Sequence, residues 1–230
     1  MIKNTIYRFI VQFLKIFKKA LIPFEIYGIS KRFEVDYGYL ETAKRKSSVD
    51  KNLKPIPWYT YPTIEYLMQL DLRGKKIFEW GGGNSTLYFQ DRVKSIKSIE
   101  SNKNWYEYLK SNISSNCELI FSDKKNYVKQ IATKKIKYDI IIIDGILRED
   151  CARVAYEYLE DTGFIILDNS DWYPSICKKF VSKYNLIQID MHGFGPINSY
   201  SWTTSIFMNR KFDFEYLNIE QLSSLSSVKK

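Results

Sequence analysis

The segment Glu79-Trp80-Gly81-Gly82-Gly83-Asn84-Ser85-Thr86 sets an acid two residues ahead of a glycine-rich turn and small polar residues directly behind it. Glycines let a ligand lie close to the backbone, and a helix opened by Asn84 or Ser85 presents amide donors that no helical carbonyl takes up. Glu100 follows nineteen residues after Gly81. A carboxylate there can accept hydrogen bonds from both ribose hydroxyls of an adenosine-containing ligand. Asp123, Asp144 and the adjacent pair Asp168-Asn169 are further oxygen-bearing side chains that could meet a ligand. His192 is the single histidine. It reads either as a general base poised near neutral pH or as a turn residue beside Gly193 and Gly195.

These residue types exclude several chemistries. A nicotinamide fingerprint needs a third glycine where Thr86 stands, and no lysine follows the glycines as a phosphate-binding P-loop requires. Cys117, Cys151 and Cys177 form no C-x-x-C pair, so neither a zinc ribbon nor a disulfide framework is available. A Ser-His-Asp hydrolase would depend wholly on His192.

The elements that must position these residues follow from the hydrophobic pattern. Strands are predicted at residues 75–80, 95–100, 118–121, 138–143, 163–167, 186–191 and 202–208. Helices are predicted at 63–70, 87–92, 104–112, 125–133, 149–160 and 175–183. Tyr138-Asp139-Ile140-Ile141-Ile142-Ile143 is apolar almost throughout, as expected of a strand with helices on both sides. The alternation predicts an α/β fold with a doubly wound, mostly parallel sheet. Ligands of such sheets sit at the carboxyl ends of the strands, where Glu79, Gly81, Gly83, Glu100, Asp123, Asp144, Asp168 and Asn169 fall.

On these residues the sequence resembles the class I S-adenosylmethionine-dependent methyltransferases, whose first motif, an acid followed by G-x-G, matches Glu79-Trp80-Gly81-Gly82-Gly83. The resemblance runs from about Trp58 to Arg210. It implies a seven-stranded Rossmann-like sheet with an antiparallel last strand. It also implies S-adenosylmethionine as cofactor, bound by Glu79, Gly81, Gly83, Asn84, Ser85, Glu100, Asp123 and Asp144. Glu100 would hold the ribose, Asp123 would lie near the adenine, and Gly81 and Gly83 would lie beside the methionine portion. Base N-methylases of this class carry an Asn/Asp-Pro-Pro-aromatic segment after the fourth strand, whereas this chain has Asp144-Gly145-Ile146-Leu147. Asp144, Asp168 and Asn169 instead look like the metal-ligand set of catechol and caffeoyl-coenzyme A type O-methyltransferases. That likeness implies Mg2+ or another divalent cation, which would lower the pKa of an acceptor hydroxyl. The lysine expected three residues after Asp144 is Leu147, with Arg148 next to it. Without a metal, Asp168-Asn169 would cap the next helix and Asp144 would touch cofactor or acceptor. Arg148 reads as an anion-binding residue or as the partner of Glu149 or Asp150.

The functional expectation is methyl transfer to an oxygen of a small molecule or glycan, with Asp144 and His192 as candidate catalytic groups. The alternatives are a non-catalytic membrane-associated binding module that keeps the fold, and an NAD-dependent oxidoreductase. The chain has 230 residues, 45% hydrophobic and 27% charged, and a net charge of +9. Five of the basic residues lie between Met1 and Phe24 with no acid among them, so the charge gives little support to a nucleic-acid partner. Residues 1–24 read as a basic amphipathic helix, suited to peripheral contact with an anionic membrane or to packing on protein, a homodimer included. Residues 25–57 read as an irregular linker or cap, 58–212 as the cofactor-binding domain and 213–230 as a polar tail. The cysteine pattern and the lack of a cleavable signal point to the cytoplasm, with peripheral association at the inner membrane surface.

Overall fold

The computed structural model describes residues 24–134, 136–217 and 224–227. The predicted amphipathic helix of residues 1–24 therefore lies outside the described residues, apart from its last position.

The helices are α1 (Phe24–Val35), α2 (Tyr39–Arg45), α3 (Tyr61–Gln69), α4 (Asn84–Gln90), α5 (Lys103–Lys110), α6 (Arg148–Ala155) and α7 (Pro174–Ser182). The strands are β1 (Lys76–Trp80), β2 (Ser95–Glu100), β3 (Cys117–Phe121), β4 (Tyr138–Ile143), β5 (Leu159–Asp168), β6 (Ile187–Gly193) and β7 (Trp202–Met208). They form one sheet in the order β3-β2-β1-β4-β5-β7-β6. All pairs are parallel except those of β7, which runs antiparallel to both β5 and β6. The chain winds outward in one direction from β1 to β3 and in the other from β4 onward, so the switch point lies between β1 and β4.

The isoleucine run of β4 shows why the centre of the sheet is stable. Strand alternation sends Ile140 and Ile142 into one core, with Ile64, Leu67, Ile77, Ile96 and Ile206. Ile141 and Ile143 enter the other, with Phe78, Ile165, Cys151, Ala155 and Phe180. Each of the four isoleucines is fully buried, so truncating any one to alanine is expected to cost about 2–5 kcal/mol.

Four sequence expectations are corrected. Residues 25–57 are not irregular, for α1 and α2 occupy much of the segment; α2 lies between left-handed residues at Gly38 and Lys46, which leave little periodic signal. The predicted helix at 125–133 is a 3-10 helix, Val128–Thr133, while β5 begins earlier than expected, at Leu159. Nor are residues 213–217 a polar tail. Phe214 is buried 5.2 Å from Phe164, and Tyr216 bridges to Leu70. Among the described residues no helix is long and apolar enough to cross a membrane.

Candidate active site

At the end of β1 the backbone turns at Gly81, whose φ of +100° lies in the region that favours glycine. The Gly81 and Gly82 amides both donate to Ile99 O, at 2.9 and 3.1 Å, and the Asp144 amide donates to Trp80 O at 2.9 Å. A Cβ on Gly81 would stand 2.5 Å from Gly145 N, so the turns after β1 and β4 touch through bare backbone. Beneath this turn Glu79 is fully buried. Its Oε1 accepts from Ser85 Oγ at 2.5 Å, and its Oε2 accepts from Thr86 Oγ1 and Ser98 Oγ at 2.5 and 2.6 Å. Burial pushes the carboxyl up to about 7, against the pull of the three hydroxyl donors. Glu79 thus braces the turn from below and lies outside the cavity lining, which corrects its expected contact with cofactor.

The turn forms the floor of a cavity of about 600 Å3, within the range of ligand sites. Gly81, Gly83, Asn84, Ser85, Glu100, Asp144, Asp168 and Asn169 all line it, so the fold brings most of the predicted site residues together. Asp123 and His192 do not line it. Asp123 lies past β3, exposed, with its Oδ1 accepting from the Asn126 amide at 3.0 Å. His192 is exposed on β6, and its Nδ1 shares a 2.7 Å hydrogen bond with Thr203 Oγ1. The neighbouring loop 194–201 does reach the cavity, but the strand's alternation turns the imidazole elsewhere.

Glu100 is nearly buried at the end of β2. Its Oε1 accepts from the amides of Ser101 and Asn102, at 2.7 and 2.5 Å, while Oε2 has no donor among the described residues. Desolvation raises its pKa, and the two amides oppose the shift. Asn84 donates through Nδ2 to Ser47 Oγ and Ser48 O, at 2.9 and 2.6 Å, which leaves its buried Oδ1 without a donor. A turn bare of side chains, a free carboxylate oxygen and an orphaned amide oxygen suit a ligand that carries hydroxyls and an ammonium group. S-adenosylmethionine fits that set.

A divalent cation does not fit. Arg148, at the start of α6, places its guanidinium among the three predicted metal ligands. Nη2 donates to Asp144 Oδ1 at 2.8 Å and to Asp144 O at 2.9 Å, Nη1 to Asn169 Oδ1 at 2.9 Å and to Asp168 O, and Nε to Gly145 O at 3.0 Å. All five guanidinium hydrogens are thereby used. Asp168 Oδ1 accepts from Thr204 Oγ1 and Trp202 Nε1, at 2.6 and 3.0 Å. Among the described residues no cluster of three or more His, Cys, Asp or Glu side chains is arranged to hold a metal. The arginine also corrects the expected pairing with Glu149 or Asp150. Asn169 does not cap a helix with its side chain; it is left-handed at φ 53° and leans onto Arg148. Burial and the nearby Asp168 raise the pKa of Asp144, while Arg148 opposes them. Burial likewise pushes Asp168 up, to about 6.

Sequence reasoning missed the contributions of the segment after α2 and of the turn after β5. Lys46, Ser47 and Ser48 supply one side of the cavity, and Trp172, Asn198, Tyr200 and Trp202 supply another. The Thr42 hydroxyl accepts from the Ile197 amide at 2.8 Å, and the Tyr39 hydroxyl donates to Asn198 O at 3.0 Å, tying α2 to the β6–β7 loop. No local signal couples these segments. The spacing of Asp144 and Arg148, four residues apart, was the one readable clue to the clamp.

No family model and no curated protein matches this chain. Solved structures do. A protein assigned as a caffeoyl-CoA O-methyltransferase from Staphylococcus aureus superposes with a TM-score of 0.55 at 14% identity, over 79% of this chain and 97% of its own. The C-terminal domain of precorrin-6Y C5,15-methyltransferase from Rhodobacter capsulatus gives 0.50 at 14% identity, over 68% and 92%. Cofactor-bound Rv0187 from MTB gives 0.50 at 13% identity, over 60% and 74%. With its seven-stranded sheet, the antiparallel β7 and the glycine turn after β1, the chain has the Rossmann-like fold of the class I S-adenosylmethionine-dependent methyltransferases.

Proposed function

We propose that this chain is an S-adenosylmethionine-dependent methyltransferase that methylates a hydroxyl of a small molecule or glycan. One observation carries the reading: Glu100 and Asp144, each with one carboxylate oxygen that has no donor among the described residues, line one cavity together with the side-chain-free turn at Gly81–Gly83. Bound there, S-adenosylmethionine would supply a methyl group carried on a sulfonium sulfur, which would keep the electron pair of the C–S bond it gives up. Glu100 accepts the ribose hydroxyls. Asp144 Oδ2 orients the acceptor hydroxyl and takes its proton, and a raised pKa makes that carboxylate the stronger base. Arg148 fixes the other oxygen of the same carboxylate, so that the base is held in one orientation. Catalysis rests chiefly on positioning within a partly desolvated cavity.

Calorimetric titration of S-adenosylmethionine and S-adenosylhomocysteine, with NAD as control, tests the cofactor. Both should bind the wild type and NAD should not. Glu100→Ala should weaken binding about 10- to 100-fold, the loss of hydrogen bonds to a charged group. Binding of NAD alone, or of none of the three by a folded chain, overturns the reading.

A further inference from the structure

Three aromatic rings at the cavity are largely left in solvent by the fold. Trp58 is 45% exposed, Trp172 61% and Tyr200 54%, and all three line the cavity. They come from separate segments: the stretch before α3, the 3-10 turn after β5 and the β6–β7 loop. Their supports are firm. The Trp172 amide donates to Asn169 O at 2.9 Å, and the Tyr200 ring meets buried Trp202 at 6.1 Å and 62°. An indole leaves water at a gain of several kcal/mol, so large aromatic faces kept in solvent around one cavity mark a surface that a ligand covers.

The polar groups beside them narrow the ligand. Asn169 spends Oδ1 on Arg148 and keeps Nδ2 as a free donor, and the side-chain amide of Asn198 makes no hydrogen bond among the described residues. Asp144 Oδ2 adds an acceptor. Positive charge is scarce: Lys46 and Arg148 are the basic residues of the lining, and Arg148 has no hydrogen left to give. A phosphate or carboxylate ligand would therefore meet one lysine and three acids. Chelation of a catechol through a divalent cation has no ligand set here, since Arg148 occupies it. What remains is neutral, rich in hydroxyls and furnished with apolar C–H faces. We infer that the acceptor is a carbohydrate, with a pyranose ring seated against Trp58, Trp172 and Tyr200 and its hydroxyls read by Asn169, Asn198 and Asp144. The choice of the hydroxyl that is methylated rests on the methyltransferase reading, but the seating of the ring does not.

Saturation-transfer NMR on the full chain saturated with S-adenosylhomocysteine tests this. The probes are a panel of methyl hexopyranosides and 6-deoxyhexopyranosides and their disaccharides, with catechol, caffeic acid and adenosine 5′-monophosphate as competitors. At least one pyranoside should receive saturation on its C–H protons, and Trp172→Ala or Trp58→Ala should weaken its binding about tenfold. Calorimetric affinity for S-adenosylhomocysteine should stay within threefold in both variants, which also shows that they fold. If no pyranoside binds, or if catechol or the nucleotide binds in preference, the carbohydrate assignment is overturned. If S-adenosylhomocysteine itself fails to bind the wild type, the methyltransferase reading falls instead, and the panel repeated without it still reports on the ring.

Discussion

Arg148 holds more of the site together than any other side chain. Its guanidinium reaches backbone or side-chain oxygens of Asp144, Gly145, Asp168 and Asn169, so one planar group fixes the spacing between the ends of β4 and β5. A lysine presents a single ammonium and cannot match four separate partners in a plane. Arg148→Lys should therefore destabilise the fold by about 3 kcal/mol, because the pair is mostly buried and its partners would be left unmatched. Calorimetric unfolding of the variant measures that loss. The same geometry predicts that methyl transfer by the wild type is unchanged by EDTA and by added Mg2+. Activity abolished by the chelator and restored by the metal would refute the clamp's role. The partner of Arg148 was hard to read from sequence because Glu149 and Asp150 are adjacent in the chain. Leu147 is left-handed at φ 52°, which turns the chain so that the first residue of α6 reaches back over Asp144.

Between elements, the decisive contact is the bare backbone where the β1 turn meets the β4 turn. A Cβ on Gly145 would overlap the Tyr127 hydroxyl and stand 2.8 and 3.0 Å from Gly81 N and Cα. Gly145→Ala should thus spread the two turns, costing about 1–3 kcal/mol and most of the affinity for S-adenosylhomocysteine. Adding Tyr127→Phe removes the hydroxyl but leaves the backbone collision, so titration of the double variant should show partial recovery. Full recovery would mean that the two turns need not touch. The sequence made this frame legible because its signals are local: glycines at the end of an apolar strand, and isoleucines in an unbroken run. The strand-end acids were legible for the same reason, since each lies next to the strand that delivers it. Glu79 was placed at the right turn and given the wrong partners, because no spacing rule tells whether a strand-end carboxylate faces the ligand or the hydroxyls of the next helix. The wall after α2 was illegible, for it depends on contacts between α2 and the loop after β6. His192 failed as a candidate on the parity of one strand.

At the scale of the whole molecule, charge is segregated. The chain carries +9, yet Glu100, Asp144 and Asp168 line one cavity with Arg148 in their midst, and Glu79 is buried beneath its floor. Burial raises the pKa of each of them, to about 7 for Glu79 and about 6 for Asp168. A carboxyl whose folded pKa lies above its unfolded value holds more protons folded than unfolded between the two values, so its contribution to stability falls as pH rises. The free energy of unfolding should decline between about pH 4.5 and 7 in denaturant titrations, and Glu79→Gln should flatten the decline. A rise over that interval would show that these acids are ionised at no cost. Glu41, Asp71 and Asp161, whose pKa values are lowered by exposed partners, act in the opposite direction, and as surface pairs they act weakly. The tie between α2 and the β6–β7 loop has a consequence in time. The Thr42–Ile197 and Tyr39–Asn198 bonds join residues 155 and 159 positions apart. A chain emerging from the ribosome makes α2 and must wait through the whole of the sheet up to β6 before the partner loop exists. The central strands can pair while synthesis continues, but the ligand cavity closes only after them, and no nascent fragment ending before Ile197 carries both of its walls.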